Sequence, residues 1–205
     1  MRLFAHACPA CEGLLHTPCA MEASPPRRGF LAGALGAAAL GLAGAGLATP
    51  ALAQRLSGNV RRIGIRRVQT GEAFHGIYWR DGRYDRDALR RLDEVMRDPG
   101  MEEATPMDPR LFDLMFAVQQ HLTSEESWEV ISGYRAPETN AARARQSRRV
   151  SRVSLHMSGM AADCRLPGRD SMGIARAAAD MQLGGVGLYR RDGFVHLDCG
   201  PARRW

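Results

Sequence analysis

A chain of 205 residues sets an expectation of one domain with appendages. All 28 of its basic residues are Arg, against 22 acidic residues, for a formal net charge of +6. The Arg residues interleave with Asp and Glu, as in RDGRYDRDALRRLDEVMRD, which describes a solvated mixed surface. The tighter run RARQSRRVSR, Arg143 to Arg152, lacks interleaved aromatics and any nucleic-acid motif, so nucleic acid is not expected as a partner.

The first segment, PPRRGFLAGALGAAALGLAGAGLATPALAQ, carries Arg27-Arg28, an apolar stretch from Phe30 to Ala48, and Ala51-Leu52-Ala53 before Gln54. It resembles a twin-arginine export signal cleaved near Ala53. Its Ala and Gly content makes it only mildly apolar, so release is expected rather than retention as a membrane span. The twin-arginine export machinery is then a partner and the periplasm the destination. Residues 1–20 hold Cys8, Cys11 and Cys19 with His6 and His16, which on paper looks like a zinc knuckle. Met21 offers a start closer to the basic pair, and the segment before it is expected to be a misassigned start or a dispensable extension. The chain therefore divides into 1–53, extension and signal, and 54–205, a domain large enough for one well-buried core.

In that domain, RRIGIRRVQTGEAFHGIYW predicts two strands with a turn near Thr70-Gly71. Leu89, Leu92 and Met96 mark an amphipathic helix from Asp85 to Arg97, stopped by Asp98-Pro99-Gly100. Asp108 caps a second helix with Pro109 at its first position. WEVISGY follows as a strand and PETNAARARQ as a short helix. Short strand segments are expected at Val153–Leu155 and Ala161–Leu166, a helix at Asp170–Met181, and strands at Gly185–Tyr189 and Phe194–Asp198. Early helices and a late antiparallel sheet define an α+β class.

The chemistry concentrates in the last third. In SLHMSGMAADCRLPG, His156 and Asp163 flank Gly159, where a turn can bring both side chains together, and small residues leave room for a metal. In FVHLDCG, strand alternation puts His196 and Asp198 on one face. A His, an Asp and a second His supply three ligands of the kind zinc takes, with one tetrahedral position left open, as in catalytic rather than structural sites. His75 and His121 fall outside any metal spacing.

SLHMSGMAAD fits the pattern SxHxxGxAxD of the LAS metallopeptidases, whose fold is of the hedgehog and D-Ala-D-Ala-peptidase type. SGYRAPETN upstream and GGVGLYRRDGFVHLDCGPARRW downstream resemble the YcbK-like branch of murein endopeptidases, in the same order, from about Ile63 to the last residue. The resemblance implies an antiparallel sheet carrying a zinc site with helices packed on it. It implies zinc held by His156, Asp163 and His196, and peptidoglycan as substrate, cut in its peptide stems or crosslinks. It also implies Arg135 of SGYRAP as the cation that stabilises the oxyanion, and Ser154 as a substrate contact. Many relatives place an acid or a His two or three residues before the last ligand; here Gly193 and Phe194 stand there. Asp198 and Asp192 remain, and Asp198 is taken as the base, with orientation of a ligand as its other role. Arg149 and Met160 depart from the pattern without removing a ligand. Tyr134 and Asn140 are expected to support the loop, and Trp205 to anchor the end of the chain. A non-catalytic wall-binding module and a D-Ala-D-Ala carboxypeptidase are the alternatives.

Cys164 and Cys199 are the two Cys residues of the domain. Each is expected to face away from the ligands by strand period. If the two ligand strands are neighbours, the thiols lie together behind the site, as a disulfide or as two buried thiols.

Overall fold

The computed structural model describes residues 58–148 and 150–205. The expected export signal and cleavage near Ala53, together with Cys8, Cys11, Cys19 and Arg149, lie outside the described residues.

The chain begins with the hairpin β1 (Val60–Arg67) and β2 (Ala73–Arg80), then β3 (Arg83–Tyr84), α1 (Arg86–Met96) and α2 (Pro109–His121). After β4 (Trp128–Ser132) come α3 (Pro137–Gln146), a 3₁₀ turn (Leu155–Ser158), β5 (Ala161–Arg165) and α4 (Ser171–Met181). Strands β6 (Gly185–Tyr189), β7 (Phe194–Asp198) and β8 (Arg203–Arg204) complete it. The cap read at Asp108 forms, accepting from the amide of Arg110. Asp85 and Asp170, expected as first helical residues, are caps as well, accepting from Asp87 and Ala88 and from Gly173.

The class is α+β, with one eight-stranded sheet in the order β3-β2-β1-β4-β5-β7-β6-β8. The sheet is mixed rather than antiparallel, because β4 runs parallel to β1 and β8 parallel to β6. The first parallel pair follows from the crossover through α1 and α2, which returns the chain to the starting end of the sheet. Alternate residues of the strands (Ile63 and Ile65, Phe74, Val130, Val195 and Leu197) face one way. They join Leu92 and Met96 of α1, Leu111, Leu114, Met115 and Val118 of α2, and Ile174 and Ala178 of α4 in one buried cluster. The other face of β5, β7 and β6 carries Asp163, His196, Asp198 and Tyr189, with Ala161, Phe194 and two glycines between them.

Two expectations change. The predicted strand at Val153–Leu155 is not formed. Ser154 instead caps the 3₁₀ turn by accepting from the His156 amide, and Gly159 ends that turn at φ +66°. A Cβ at Gly159 would also lie 2.7 Å from the Pro106 carbonyl oxygen, so both its conformation and its space demand glycine. The disulfide is absent as well: Cys164 and Cys199 are free and buried. Cys164 pairs with Val195 on β7, whereas the amide of Cys199 donates to Met160, which precedes β5. Four residues of strand separate those levels, about 13 Å at about 3.3 Å per residue, against a reach of about 7 Å for a bridge. Face parity is right for Cys164, but position along the strand decides. Burial raises both thiols, that of Cys199 to about 12, so neither is a thiolate at neutral pH.

One buried ion pair ties the hairpin to α2. Arg61 donates to Asp113 at 2.8 Å, and the hydroxyls of Tyr78 and Tyr84 donate to the same carboxylate at 2.9 and 2.6 Å. The Arg61 guanidinium also lies 4.0 Å from the Trp79 ring centroid. Asp113→Ala would leave a buried cation and two buried hydroxyls unpaired, so it is expected to lower stability by about 3–5 kcal/mol in urea unfolding. Alkylation with iodoacetamide is expected to label Cys164 only after denaturation, and equally with or without prior reductant; reductant-dependent labelling would restore the bridge.

Candidate metal centre

The site is built from the loop after β4, the 3₁₀ turn, and the polar face shared by β5 and β7. The loop is fixed to the end of α1 from several sides. The Tyr134 amide donates to the Met96 carbonyl at 2.8 Å, and the Tyr134 hydroxyl to Glu103 at 2.9 Å. The Asp98 carboxylate accepts from the amides of Ala136 and Gly100, each at 2.9 Å. Burial opposes the ionised Asp98, yet hydrogen bonds from Thr139 and these amides outweigh it and hold the carboxyl below its ordinary value. The pinned loop aims the Gly133 carbonyl at His156 Nδ1, 2.7 Å away, while the Arg135 amide donates to the His156 carbonyl at 3.2 Å.

The partners assign the ring protons. His156 Nδ1–H donates to Gly133, so its Nε2 presents a lone pair. His196 Nε2–H donates to Asp198 Oδ2 at 3.0 Å, so its Nδ1 presents another. Asp163 stands directly opposite His196 in the β5–β7 register and adds a carboxylate oxygen. The separations are 3.2 Å between the two ring nitrogens, 2.9 Å from His196 Nδ1 to Asp163 Oδ1, and 3.3 Å from His156 Nε2 to that oxygen. Three acceptor atoms thus converge with the ring protons already committed elsewhere, an arrangement that a cation satisfies. His156, Asp163 and His196 form the metal-competent cluster among the described residues. They fit zinc in number and type of ligand, and each His has the second hydrogen bond that orients a metal ligand.

Electrostatics agree with the assignment for His156, whereas at His196 the two carboxylates favour a proton that a bound cation would have to displace. Burial lowers the pKa of His156 and favours the neutral ring. Burial also disfavours charge on His196, but the carboxylates of Asp163 and Asp198 overcome it and raise its pKa. The Asp163 carboxyl is held well below the carboxylate range by the two rings, against the effect of its burial.

Arg135 is buried beside the cluster. It donates to Asn140 at 3.1 Å and Ser132 at 3.2 Å, and one of its nitrogens lies 3.6 Å from Asp163 Oδ2. Burial, reinforced by nearby Arg143, lowers its pKa, though a guanidinium keeps its charge in proteins. Asn140 in turn donates to the Ser151 carbonyl, tying α3 to the segment that leads into Ser154. Ser154 lines the same cavity, about 460 Å³, as Arg135, His156, Asp163 and His196.

Asp198 is placed differently from expectation. Its side chain is fully buried, and it does not line the cavity. One oxygen accepts from the amides of Gly185 and Gly200, and Arg203 holds both oxygens at 3.0 and 2.8 Å. Burial would raise its pKa, but the hydrogen bond from His196 and those from Arg203 and Gly200 hold it down to about 2. A carboxylate closed off behind His196 orients that ring; as a base acting on substrate it is in the wrong place.

Several cavity residues escaped sequence reasoning. Trp205 does anchor the chain end, its amide donating to Val186 at 3.1 Å and its carbonyl accepting from Leu188 at 3.0 Å. Its indole also lies 5.2 Å from the His196 ring and walls the cavity. Gly187 was the available signal: a Cβ there would lie 2.7 Å from the indole, and glycine inside a strand often marks such an approach. Tyr189 and Phe194 line the cavity too, as does Asp192, the other carboxylate that the sequence left as a candidate base.

Residues 55–205 match the family described as peptidoglycan L,D-endopeptidase MepK. The protein of that name from Escherichia coli K12 is 38% identical over 157 residues, covering 76% of this chain and 86% of the relative. A probable peptidoglycan L,D-endopeptidase MepK of Haemophilus influenzae is 37% identical over 146 residues, covering 71% and 78%. No solved structure matches the chain. The motifs, their order and this match over residues 55–205 agree: the chain belongs to the family of peptidoglycan L,D-endopeptidase MepK.

Proposed function

We propose that this chain is an exported endopeptidase that hydrolyses peptide crosslinks of peptidoglycan in the periplasm, with zinc held by His156, Asp163 and His196. The convergence of three acceptor atoms, with the remaining ring protons committed to Gly133 and Asp198, carries the reading. The names of the relatives supply the substrate, and Arg27-Arg28 with Ala51-Leu52-Ala53 supply the route of export. A hedgehog and D-Ala-D-Ala-peptidase type of fold belongs to the same proposal. Among the described residues, no helix is long and apolar enough to cross a membrane.

Zinc, when bound, supplies Lewis-acid polarisation of the scissile carbonyl and makes water more acidic. The chain supplies position and fixed charge. Gly133 and Asp198 hold the two His rings in the tautomers that leave Nε2 and Nδ1 free. Arg135, anchored by Asn140 and Ser132, offers a permanent cation to the oxyanion that develops when the peptide carbonyl is attacked. Ser154 offers a hydroxyl to the substrate backbone on the same wall. Asp198 acts through His196 and does not meet the substrate.

Digestion of crosslinked peptidoglycan, with products resolved by mass, is expected to yield cleaved crosslinks with zinc and none after chelation. Activity should return on zinc addition, and His156→Ala should lose both metal and cleavage. Binding to the wall without any chelator-sensitive product would establish a non-catalytic module, and release of terminal D-Ala a carboxypeptidase. Asp198→Asn is expected to weaken zinc affinity about 10–100-fold while keeping near-normal kcat at saturating zinc; collapse of kcat there would make it the base. Arg135→Ala is expected to lower kcat about 10²–10³-fold with zinc content unchanged, and Arg135→Lys to recover little of it.

A further inference from the structure

The register of β6 and β7 places a phenol in the metal cavity. Tyr189 stands directly opposite Phe194, as Gly187 stands opposite His196, so Tyr189, Phe194 and His196 share one face of the sheet. The Tyr189 and Phe194 rings are stacked, with centroids 4.6 Å apart and planes 13° from parallel. The Tyr189 carbonyl accepts from the amides of Asp192 and Gly193, at 3.1 and 2.9 Å, which closes the β6–β7 turn beneath the ring. Backbone and ring are therefore both held before any ligand arrives.

The other three tyrosines have their hydroxyls engaged. Tyr78 and Tyr84 donate to Asp113, and Tyr134 donates to Glu103. None of those three lines the cavity. The fourth, Tyr189, lines it together with Arg135, His156, Asp163 and His196, and its hydroxyl makes no hydrogen bond with any described residue. A stacked ring on the wall of this cavity, with a hydroxyl not engaged by the fold, is available as a donor rather than a structural tie.

We propose that Tyr189 is a further catalytic residue of the peptidase reaction. Its phenol O–H donates a hydrogen bond to the oxygen of the scissile carbonyl as charge develops there, so that Tyr189 and Arg135 form a two-donor oxyanion site. The phenol keeps its proton, and Tyr189 makes and breaks no covalent bond. Phe194 is the positioning residue that holds the ring. The assignment rests on the endopeptidase reading above.

Tyr189→Phe preserves the stack and removes only the hydroxyl. The zinc-loaded variant is compared with the zinc-loaded wild type on purified crosslinked muropeptides, with zinc content measured for each. The expected result is a fall in kcat of about 10²-fold, with zinc content unchanged and KM within about twofold of wild type. In a Phe194→Ala background, where the ring is no longer held, Tyr189→Phe is expected to cost much less, a non-additivity that a passive wall residue would not give. Unchanged kcat, or a loss confined to KM, overturns the proposal. An inactive zinc-loaded wild type overturns the endopeptidase reading and this assignment with it, whereas equal activity of wild type and variant overturns this assignment alone.

Discussion

Two hydrogen bonds that touch no substrate determine the site: His156 Nδ1 to the Gly133 carbonyl, and His196 Nε2 to Asp198. Each removes one ring nitrogen from competition and turns the other toward Asp163. Without them either ring could rotate or change tautomer, and the three acceptors would not have to face one another. The two bonds use opposite nitrogens because the rings come from different directions. His156 rises from a 3₁₀ turn whose carbonyl is tied to the Arg135 amide; His196 projects from the middle of a strand, with Asp198 two residues further along the same face. Most of the surrounding architecture serves these two anchors. Asp98 and Met96 secure the loop that carries Gly133, and Arg203 with the amides of Gly185 and Gly200 secures Asp198.

Sheet register does the remaining alignment. Asp163 and His196 are direct neighbours across β5 and β7, and Gly187 completes the row on β6. Cross-strand neighbours on one face have Cβ atoms only about 5 Å apart, so a one-residue slip would send a ligand into the core. The apolar partners Ala162, Cys164, Val195 and Leu197 oppose such a slip, since it would move them from the buried cluster to the polar face. Core and site thus enforce the same register from opposite sides of the sheet. The glycines of β6 leave the space that the Asp198 carboxylate, Arg203 and the Trp205 indole occupy.

Legibility in the sequence followed the range of the interaction. Helix starts at Asp85, Asp108 and Asp170 depend on neighbours within a turn, and all three were placed within a residue, Asp108 as a cap. The convergence of His156, Asp163 and His196 was legible because each short motif fixes a local geometry and the order of motifs matches a known pattern. Parity along a strand gave the face of Cys164 correctly. It could not give the distance to Cys199, which depends on where β7 ends relative to β5. The role of Asp198 was ambiguous for the same reason: sharing a face with His196 is a local fact, whereas enclosure by Arg203, Gly185 and Gly200 is a tertiary one. The 3₁₀ turn at Leu155–Ser158 was missed because a Ser cap and a left-handed Gly override the strand-like pattern of Val153 to Leu155.

The polar groups behind the site show what this precision requires. Arg67 on β1 is almost fully buried, and its Nε and one terminal nitrogen have no hydrogen-bond partner among the described residues. Burial, only partly offset by Asp98, pulls its pKa down to about 10, so the guanidinium remains charged at neutral pH in a place that disfavours charge. Its terminal nitrogen would lie 3.0 Å from a Cβ at Gly133, the residue whose carbonyl fixes His156. Arg135, also buried, leaves its Nε unpaired in the same region. A core selected for stability alone would hold apolar side chains here, which are often as stabilising as a buried ion pair or more so. The compensation lies at the other end of the sheet, where Asp113 collects Arg61, Tyr78 and Tyr84 with good geometry, and in the large apolar cluster between them. The loop after β4 thus carries one buried cation, Arg135, beside His156 and Asp163, while β1 of the hairpin supplies the other, Arg67, behind the same loop.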